Sequence, residues 1–306
     1  MTTRLGSGVA YGKSAGKKRA SAQEKADFGY LRRLVYAHTH NVIKASRDYL
    51  FQTRLAGLMR SLGLTHLEEL VQLLQLKRDS ALERQVAEAM TINETSFFRD
   101  GRPFELLRTE LLPPLIESRR VGRVLRLWSA ACSTGQEAYS IAMLLLEHFP
   151  QVASGWTVRI EGTDISAEVI RRCQAGSYER IEMNRGLPAR NIVRFFEHSY
   201  EKHGYEERGG EEWTVKSEVR GMTSFHQADL CGEKLPFGAP FDVIFLRNVM
   251  LYFSQETRVS LLARVYRMLA PDGVLFLGSS EQPADAALWT VHLAGGSCYY
   301  RPRQMD

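Results

Sequence analysis

Among the 306 residues, no apolar run approaches the roughly 20 that a membrane-spanning helix needs. The start of the chain also lacks the apolar core of a secretory signal, so neither a spanning nor an exported protein is expected. Cysteine is scarce and scattered. Cys132, Cys173, Cys231 and Cys298 form no C-x-x-C pair and no paired Cys/His spacing, which excludes a disulfide framework and a zinc motif and fits a reduced, cytoplasmic protein with no metal. No G-x-G-x-x-G follows a strand, which disfavours a pyrophosphate cofactor. No His or Cys constellation suits nucleophilic or general-base chemistry.

An excess of charge is missing too, once the charge is located. The net +5 comes from the first 25 residues, where Arg4, Lys13, Lys17, Lys18, Arg19 and Lys25 face one acid, Glu24. Taking these six bases and one acid from the totals of 40 and 35 leaves 34 of each. A neutral body is no argument for a nucleic-acid interface. Residues 1–26, rich in Gly, Ser, Ala and Lys and without periodicity, read as a disordered basic tail.

What is present falls into two textures. Over 27–90, apolar residues recur at helical spacing: Leu31, Leu34 and Val35, then Leu55, Leu58 and Met59, then Leu67, Leu70, Val71 and Leu74. Gly63 breaks the second helix and Thr65 is placed to cap the next. This is an all-α domain, followed by a linker and helix over 91–120. From about 121 strands and helices alternate. Strands are expected over Val124–Ser129, Thr157–Thr163, Thr223–Gln227, Asp242–Leu246 and Val274–Leu277. Ser166 and Ser254 are placed as helix caps, Gly176 as a helix stop. Such a rhythm predicts an α/β domain over 121–306 with a doubly wound, mostly parallel sheet. Residues 190–222, with Phe195, Phe196, Tyr200, Tyr205, Trp213 and a Gly209-Gly210 turn, break it and read as an inserted antiparallel β-subdomain.

In a doubly wound sheet, ligands bind at the carboxyl ends of the strands. The small-residue loop Ala130–Gly135 lies at such an end, ahead of a helix whose first N–H groups are unpaired. Asp164 closes the second strand, where an acid can bind the two hydroxyls of a ribose. Glu137 lies one turn into the helix after the loop. One acid for a ribose and one for an ammonium group suit a zwitterionic nucleoside such as S-adenosylmethionine, whose cationic sulfonium favours acids and aromatic faces over a basic pocket. Arg247 and Asn248 follow the apolar run Phe241–Leu246, and Tyr252 comes a turn later. Buried polar groups there need partners, and a ligand is the economical one.

These stretches carry a resemblance. T-I-N-E-T-S-F-F-R (91–99), W-S-A-A-C-S-T-G-Q-E-A-Y-S-I-A (128–142), G-T-D-I (162–165), F-D-V-I-F-L-R-N-V-M-L-Y-F (241–253) and L-A-P-D-G-V-L-F-L-G-S-S-E (269–281) resemble, in order, the motifs of the CheR family of chemotaxis-receptor methyltransferases. Residues 28–75 resemble its helical N-terminal domain. The resemblance implies a Rossmann-like fold and a protein-glutamate O-methyltransferase that uses S-adenosyl-L-methionine, releases S-adenosyl-L-homocysteine and acts on methyl-accepting chemoreceptor cytoplasmic domains. By motif position, Asn93, Thr95, Arg99, Glu137, Asp164, Asp229, Leu230, Arg247 and Asn248 resemble its cofactor contacts. Arg99 and Tyr252 resemble the residues at the methyl-transfer centre. Gln136, Ala138, Cys132, Asp229, Cys231 and Ser254 depart from the residues common in the family, and none of these departures removes a residue assigned to chemistry.

The reaction so implied is a direct in-line methyl transfer. A glutamate with pKa about 4.3 is ionised at pH 7, so no general base is required, and alignment supplies the catalysis, an effect worth up to roughly 7–11 kcal/mol. On the substrate side, Lys44, Arg47 and Arg54 are spaced close to one helix face and would suit docking on an acidic receptor coiled coil. The β-subdomain resembles one that in some members grips a receptor C-terminal peptide by strand addition. A monomer with no nucleic-acid partner and no membrane insertion is expected. Two other readings stay open: a methyltransferase acting on RNA or a small molecule, and a catalytically silent module that senses the cofactor.

Overall fold

The structure, a computed structural model, describes residues 12–199, 212–238, 240–283, 285 and 287–303. It divides into two compact units at Thr91/Ile92. No helix among the described residues is long and apolar enough to cross a membrane.

The first unit is helical: α1 (Gly12–Thr39), a 3-10 turn (Ala45–Arg47), α2 (Tyr49–Ser61), α3 (Leu67–Lys77) and α4 (Ser80–Ala89). Its core takes Leu31, Leu34, Val35, Leu55, Met59, Leu70, Val71 and Leu74 from the expected stripes, joined by Phe51, Leu82 and Val86. Full burial of each such side chain stabilises by about 1.5–3 kcal/mol. Two expectations fail here. The reading of 1–26 as a tail gives way at Gly12, where α1 begins; residues 1–11 lie outside the described residues. The stretch 12–26 is rich in Ala and Lys and free of proline, good helix-forming composition without the apolar stripe that would have marked it. The cap of α3 is not Thr65 but His66, with the Glu69 carboxylate accepting from the N–H groups of Thr65 (2.8 Å) and His66 (3.0 Å).

The second unit opens with α5 (Arg102–Leu106), which passes through a π turn (Leu107–Leu111) into α6 (Leu112–Ser118). Pro113 and Pro114, which have no N–H to donate, stand one residue beyond that turn, in the first turn of α6. Then come β1 (Val124–Ala130), α7 (Gln136–His148), α8 (Pro150–Gly155), β2 (Thr157–Asp164) and α9 (Ala167–Ala175). Next are β3 (Ser177–Glu179), α10 (Arg180–Met183), α11 (Ala189–Phe195), β4 (Phe196–Ser199), β5 (Glu212–Val215) and α12 (Ser217–Arg220). Last are β6 (Thr223–Gln227), β7 (Phe241–Leu246), a 3-10 turn (Met250–Tyr252), α13 (Gln255–Met268), β8 (Leu269–Leu277), β9 (Trp289–Ala294) and β10 (Ser297–Pro302).

Seven strands form one sheet in the order β6-β2-β1-β7-β8-β10-β9. The first five run parallel, and β10 is antiparallel to both its neighbours. Both faces of this Rossmann-like sheet are covered, as its central strand shows. Val243 and Phe245 of β7 join one core with Ile141 and Phe276, while Ile244 and Leu246 join the other with Trp128, Leu261 and Val265. The Ser166 and Ser254 caps form, each hydroxyl accepting from a backbone N–H three residues on, and Gly176 ends α9 at φ 65°. The hairpin β9–β10 was not anticipated, although Gly295 (φ 55°) and Gly296 (φ 71°) supply the positive-φ pair a tight hairpin demands.

A separate three-stranded antiparallel sheet, β3-β5-β4, forms the subdomain. Its first strand lies ahead of the expected start at residue 190, because Ser177–Glu179 pairs with Glu212–Thr214. The expected Gly209-Gly210 turn, Tyr200 and Tyr205 lie outside the described residues.

Candidate functional site at the carboxyl edge of the sheet

The parallel strands β2, β1, β7 and β8 end together, and the polar residues singled out in the sequence lie at those ends. Loop 131–135, after β1, turns sharply, with Ala131, Ser133 and Gly135 at φ 58°, 49° and 93°. Four bonds hold it: Cys132 N–H to the Thr163 carbonyl (2.8 Å), Cys173 Sγ to the Ser133 carbonyl (2.9 Å), Tyr178 hydroxyl to the Thr134 carbonyl (2.7 Å), and Ser133 N–H to Asp164 Oδ2 (3.0 Å). Asp164 is buried, and its Oδ1 accepts from the Ser166 N–H at 3.1 Å. Burial raises the Cys132 thiol well above its ordinary range, with the neighbouring Cys173 adding to the effect, so this loop carries no ready nucleophile.

Glu137 and Arg247 form the centre of the site. The Arg247 side chain is only 2% exposed. It donates from Nη1 to Glu137 Oε2 (2.9 Å) and from Nη2 to Asp100 Oδ2 (2.5 Å) and to the Arg99 carbonyl (3.1 Å). The other Glu137 oxygen accepts from the Ser129 hydroxyl at 2.8 Å. The expectation that a ligand is the economical partner for Arg247 is therefore corrected: two carboxylates and a carbonyl of the protein itself accept its hydrogen bonds. Arg247 Nε alone stays enclosed and unbonded among the described residues.

Residues 92–100 are drawn onto this edge by further bonds. The Ser133 hydroxyl donates to the Asn93 carbonyl (2.8 Å), the Phe98 N–H to the Ser140 hydroxyl (2.9 Å), and Arg99 Nη1 to the Glu94 carbonyl (2.6 Å). Phe97 anchors the segment by packing edge-on against Tyr178 and Phe196, with ring centroids 5.0 and 5.5 Å away. Thr95 and Arg99 are half-buried, and Asn93 is exposed. The path is tight, since Phe98 (φ 47°) and Asp100 (φ 69°) both take the left-handed conformation.

Two residues that sequence reasoning missed shape the rest of the edge. Arg264 of α13 grips the turn after β6, donating to the carbonyls of Leu230 (2.9 Å), Gly232 and Glu233 (2.6 Å). That turn carries Asp229 and the buried Leu230, and Asp229 Oδ1 accepts from the Cys231 N–H at 2.8 Å. Arg258 donates to the carbonyls of Leu251 (3.3 Å) and Phe253 (3.1 Å), on either side of the half-buried Tyr252. Both arginines lie in a helix whose Ser254 cap was legible, but nothing local marks which charged side chains bend back to carbonyls.

Lys44, Arg47 and Arg54 do not share a helix face. Lys44 precedes the 3-10 turn, Arg47 ends it and Arg54 lies on α2. Lys44 and Arg47 are exposed, whereas Arg54 Nη1 bonds the Met90 (2.8 Å) and Thr91 (2.9 Å) carbonyls beyond α4. Carbonyls left unpaired at a helix C-terminus attract a cation in this way.

A doubly wound sheet with acids at the ends of β2 and α7, and no dinucleotide fingerprint, defines a Rossmann-like domain for a nucleoside cofactor. The chain belongs to the CheR methyltransferase family: residues 93–293 match its SAM-binding domain and residues 26–91 its all-alpha domain. It is 38% identical over 260 residues to chemotaxis protein methyltransferase 1 of Pseudomonas aeruginosa, covering 84% of this chain and 90% of that protein. It is 32% identical over 260 residues to the chemotaxis protein methyltransferase of Escherichia coli, covering 85% of each. A solved glycopeptide N-methyltransferase complexed with S-adenosyl-L-methionine aligns at 12% identity over 60% of this chain and 50% of that one, with a TM-score of 0.34. The chain is thus a methyltransferase whose cofactor is S-adenosyl-L-methionine.

Proposed function

We propose that this protein methylates glutamate side chains on the cytoplasmic domains of methyl-accepting chemoreceptors, forming carboxyl methyl esters. The observation that carries the reading is the pairing of family membership with two buried or nearly buried carboxylates, Asp164 and Glu137, at a site where the buried Arg247 is already held by protein acids. That donor set suits a cationic sulfonium with an ammonium group and a ribose. Asp164 takes the ribose hydroxyls and Glu137 the ammonium group. Asp229 and Leu230 flank the base, and Asn93, Thr95, Arg99, Arg247 and Asn248 complete the enclosure. The enclosed Arg247 Nε is a donor still open to a bonding partner there.

The cofactor supplies an activated methyl group. The protein supplies alignment and exclusion of water, an effect worth up to roughly 7–11 kcal/mol. The acceptor carboxylate is already ionised at pH 7, so no side chain need remove a proton. Arg99, whose Nη1 bonds the Glu94 carbonyl, orients the incoming carboxylate, and Tyr252 presents its hydroxyl at the reacting centre. Exposed Lys44 and Arg47 contribute to docking on an acidic receptor helix, and the β3-β5-β4 sheet offers an edge to a receptor peptide.

The test is transfer of labelled methyl from S-adenosyl-L-methionine to chemoreceptor-containing membranes, followed by mild base. Label on the receptor that base releases supports the reading. Cofactor binding without labelling points to a silent sensor, and base-stable label on RNA overturns the substrate class.

A further inference from the structure

The carboxyl end of the sheet contains one buried acid with no part in the scheme above. Glu281 is 5% exposed. Its Oε2 accepts two backbone N–H bonds at once, from Asn248 (2.7 Å) and from Gly278 (2.8 Å). These groups leave the ends of adjacent parallel strands, β7 and β8, and the Glu281 N–H closes the turn by donating to the Gly278 carbonyl at 2.9 Å. Its other oxygen, Oε1, is enclosed and has no partner among the described residues.

What the carboxylate holds is unusual. Asn248 stands at φ 61°, in the left-handed region, directly after the buried Arg247 and four residues before Tyr252. A residue there persists where its surroundings over-determine it. The surroundings are close: a Cβ on Gly278 would lie 2.6 Å from Glu281 Oε2, 2.8 Å from Asn248 Nδ2 and 3.0 Å from Asn248 N. Gly278, Asn248 and Glu281 thus form one close-packed clasp in which only glycine fits at 278.

We propose that Glu281 is a positioning residue for the cofactor site, its carboxylate fixing the left-handed backbone of Asn248 and thereby the turn that carries Tyr252. The proposal rests on the assignment of Asn248 to the cofactor site. It separates hydrogen bonding from charge, because a glutamine at 281 keeps an oxygen for both N–H groups while alanine keeps none.

The experiment titrates S-adenosyl-L-homocysteine into the full-length wild type and its Glu281→Gln and Glu281→Ala variants by calorimetry, with thermal melts of each. Glu281→Ala is expected to weaken binding by about 10- to 100-fold, the equivalent of losing hydrogen bonds to a charged group. Glu281→Gln should stay within about threefold of the wild type. A contribution to stability alone would lower the melting temperature of Glu281→Ala without moving the affinity of the folded protein. Wild-type affinity in Glu281→Ala therefore overturns the proposal, as does an equal loss in both variants. Should Glu281→Ala fail to fold, Gly278→Ala displaces the same groups without removing the carboxylate and is expected to weaken binding likewise; wild-type affinity there also overturns the proposal. Since no receptor is present, wild-type binding of the product alongside absent receptor labelling would sink the proposed substrate and leave Glu281 standing.

Discussion

Arg247→Met tests the centre of the site most directly. The substitution keeps much of the side chain's apolar length and removes the three bonds to Glu137, Asp100 and the Arg99 carbonyl. Glu137, whose side chain is 12% exposed, is left with the Ser129 hydroxyl as its neutral partner. Stripping one member from a buried ion pair costs about 3–5 kcal/mol, because the survivor stays desolvated and unpaired. At a slope of about 1–3 kcal/mol per molar urea, the unfolding midpoint should fall by about 1 M or more. The four tryptophans, Trp128, Trp156, Trp213 and Trp289, all lie beyond Ile92, so their fluorescence follows the α/β unit alone. Glu137→Gln leaves Arg247 its bond to Asp100 and should cost less, about 1–3 kcal/mol. The double variant should be less destabilised than the two singles summed, with a coupling of about 0.5–3 kcal/mol. A loss below about 1 kcal/mol in Arg247→Met, or strict additivity in the cycle, would refute the reasoning.

Arg99→Ala and Tyr252→Phe should lower methyl-transfer turnover far more than affinity for S-adenosyl-L-homocysteine; unchanged turnover in both sinks their assignment to the reacting centre. Gly186→Ala would place a Cβ 1.9 Å from the Phe97 carbonyl at a position with φ 99°, so it should lower both stability and cofactor affinity by displacing 92–100, read by melting and calorimetry. Burial, aided by Asp229, pushes the Cys231 thiol up to about 12, leaving roughly one thiolate in ten thousand at pH 8. Iodoacetamide should therefore label exposed Cys298 before Cys231, with the buried Cys132 and Cys173 last, as followed by peptide mass spectrometry. The Arg119 bond holds the Asp272 carboxyl below its usual range, so its contribution is present above about pH 4 and is lost as pH falls through the lower folded value. With Asp272 side-chain exposure at 47%, Asp272→Asn should cost less than about 1 kcal/mol at pH 7 and narrow the difference from wild type in acid.

Much of the architecture was legible because it is encoded locally. Ser166, Gly176 and Ser254 act through neighbours three or four residues away, and the apolar run of β7 declares burial on both faces. Asp164 was legible for the same reason, since a strand's end can be read from its own composition. The partners of Arg247 were not, because they lie 110 and 147 residues away in the chain and no local rule ties an arginine to a particular distant acid. Glu281 was hidden differently: its role rests on two backbone N–H groups, which every residue type but proline possesses. The helix from Gly12 was missed because good helix-forming composition without an apolar stripe reads as solvated chain.

The long separation behind the Arg247 bonds governs the order in which the site can be assembled. On a ribosome, the segment 92–100 emerges first within its unit, yet the guanidinium that fastens its Asp100 and Arg99 carbonyl follows almost 150 residues later. Until β7 has been synthesised and has paired with β1, the Asp100 end of the positive-φ path lacks its Arg247 bonds, and a chain halted before residue 247 cannot close the centre of the site. Contacts of such high sequence separation form slowly. Closure of this centre is accordingly among the last steps in the folding of a nascent molecule.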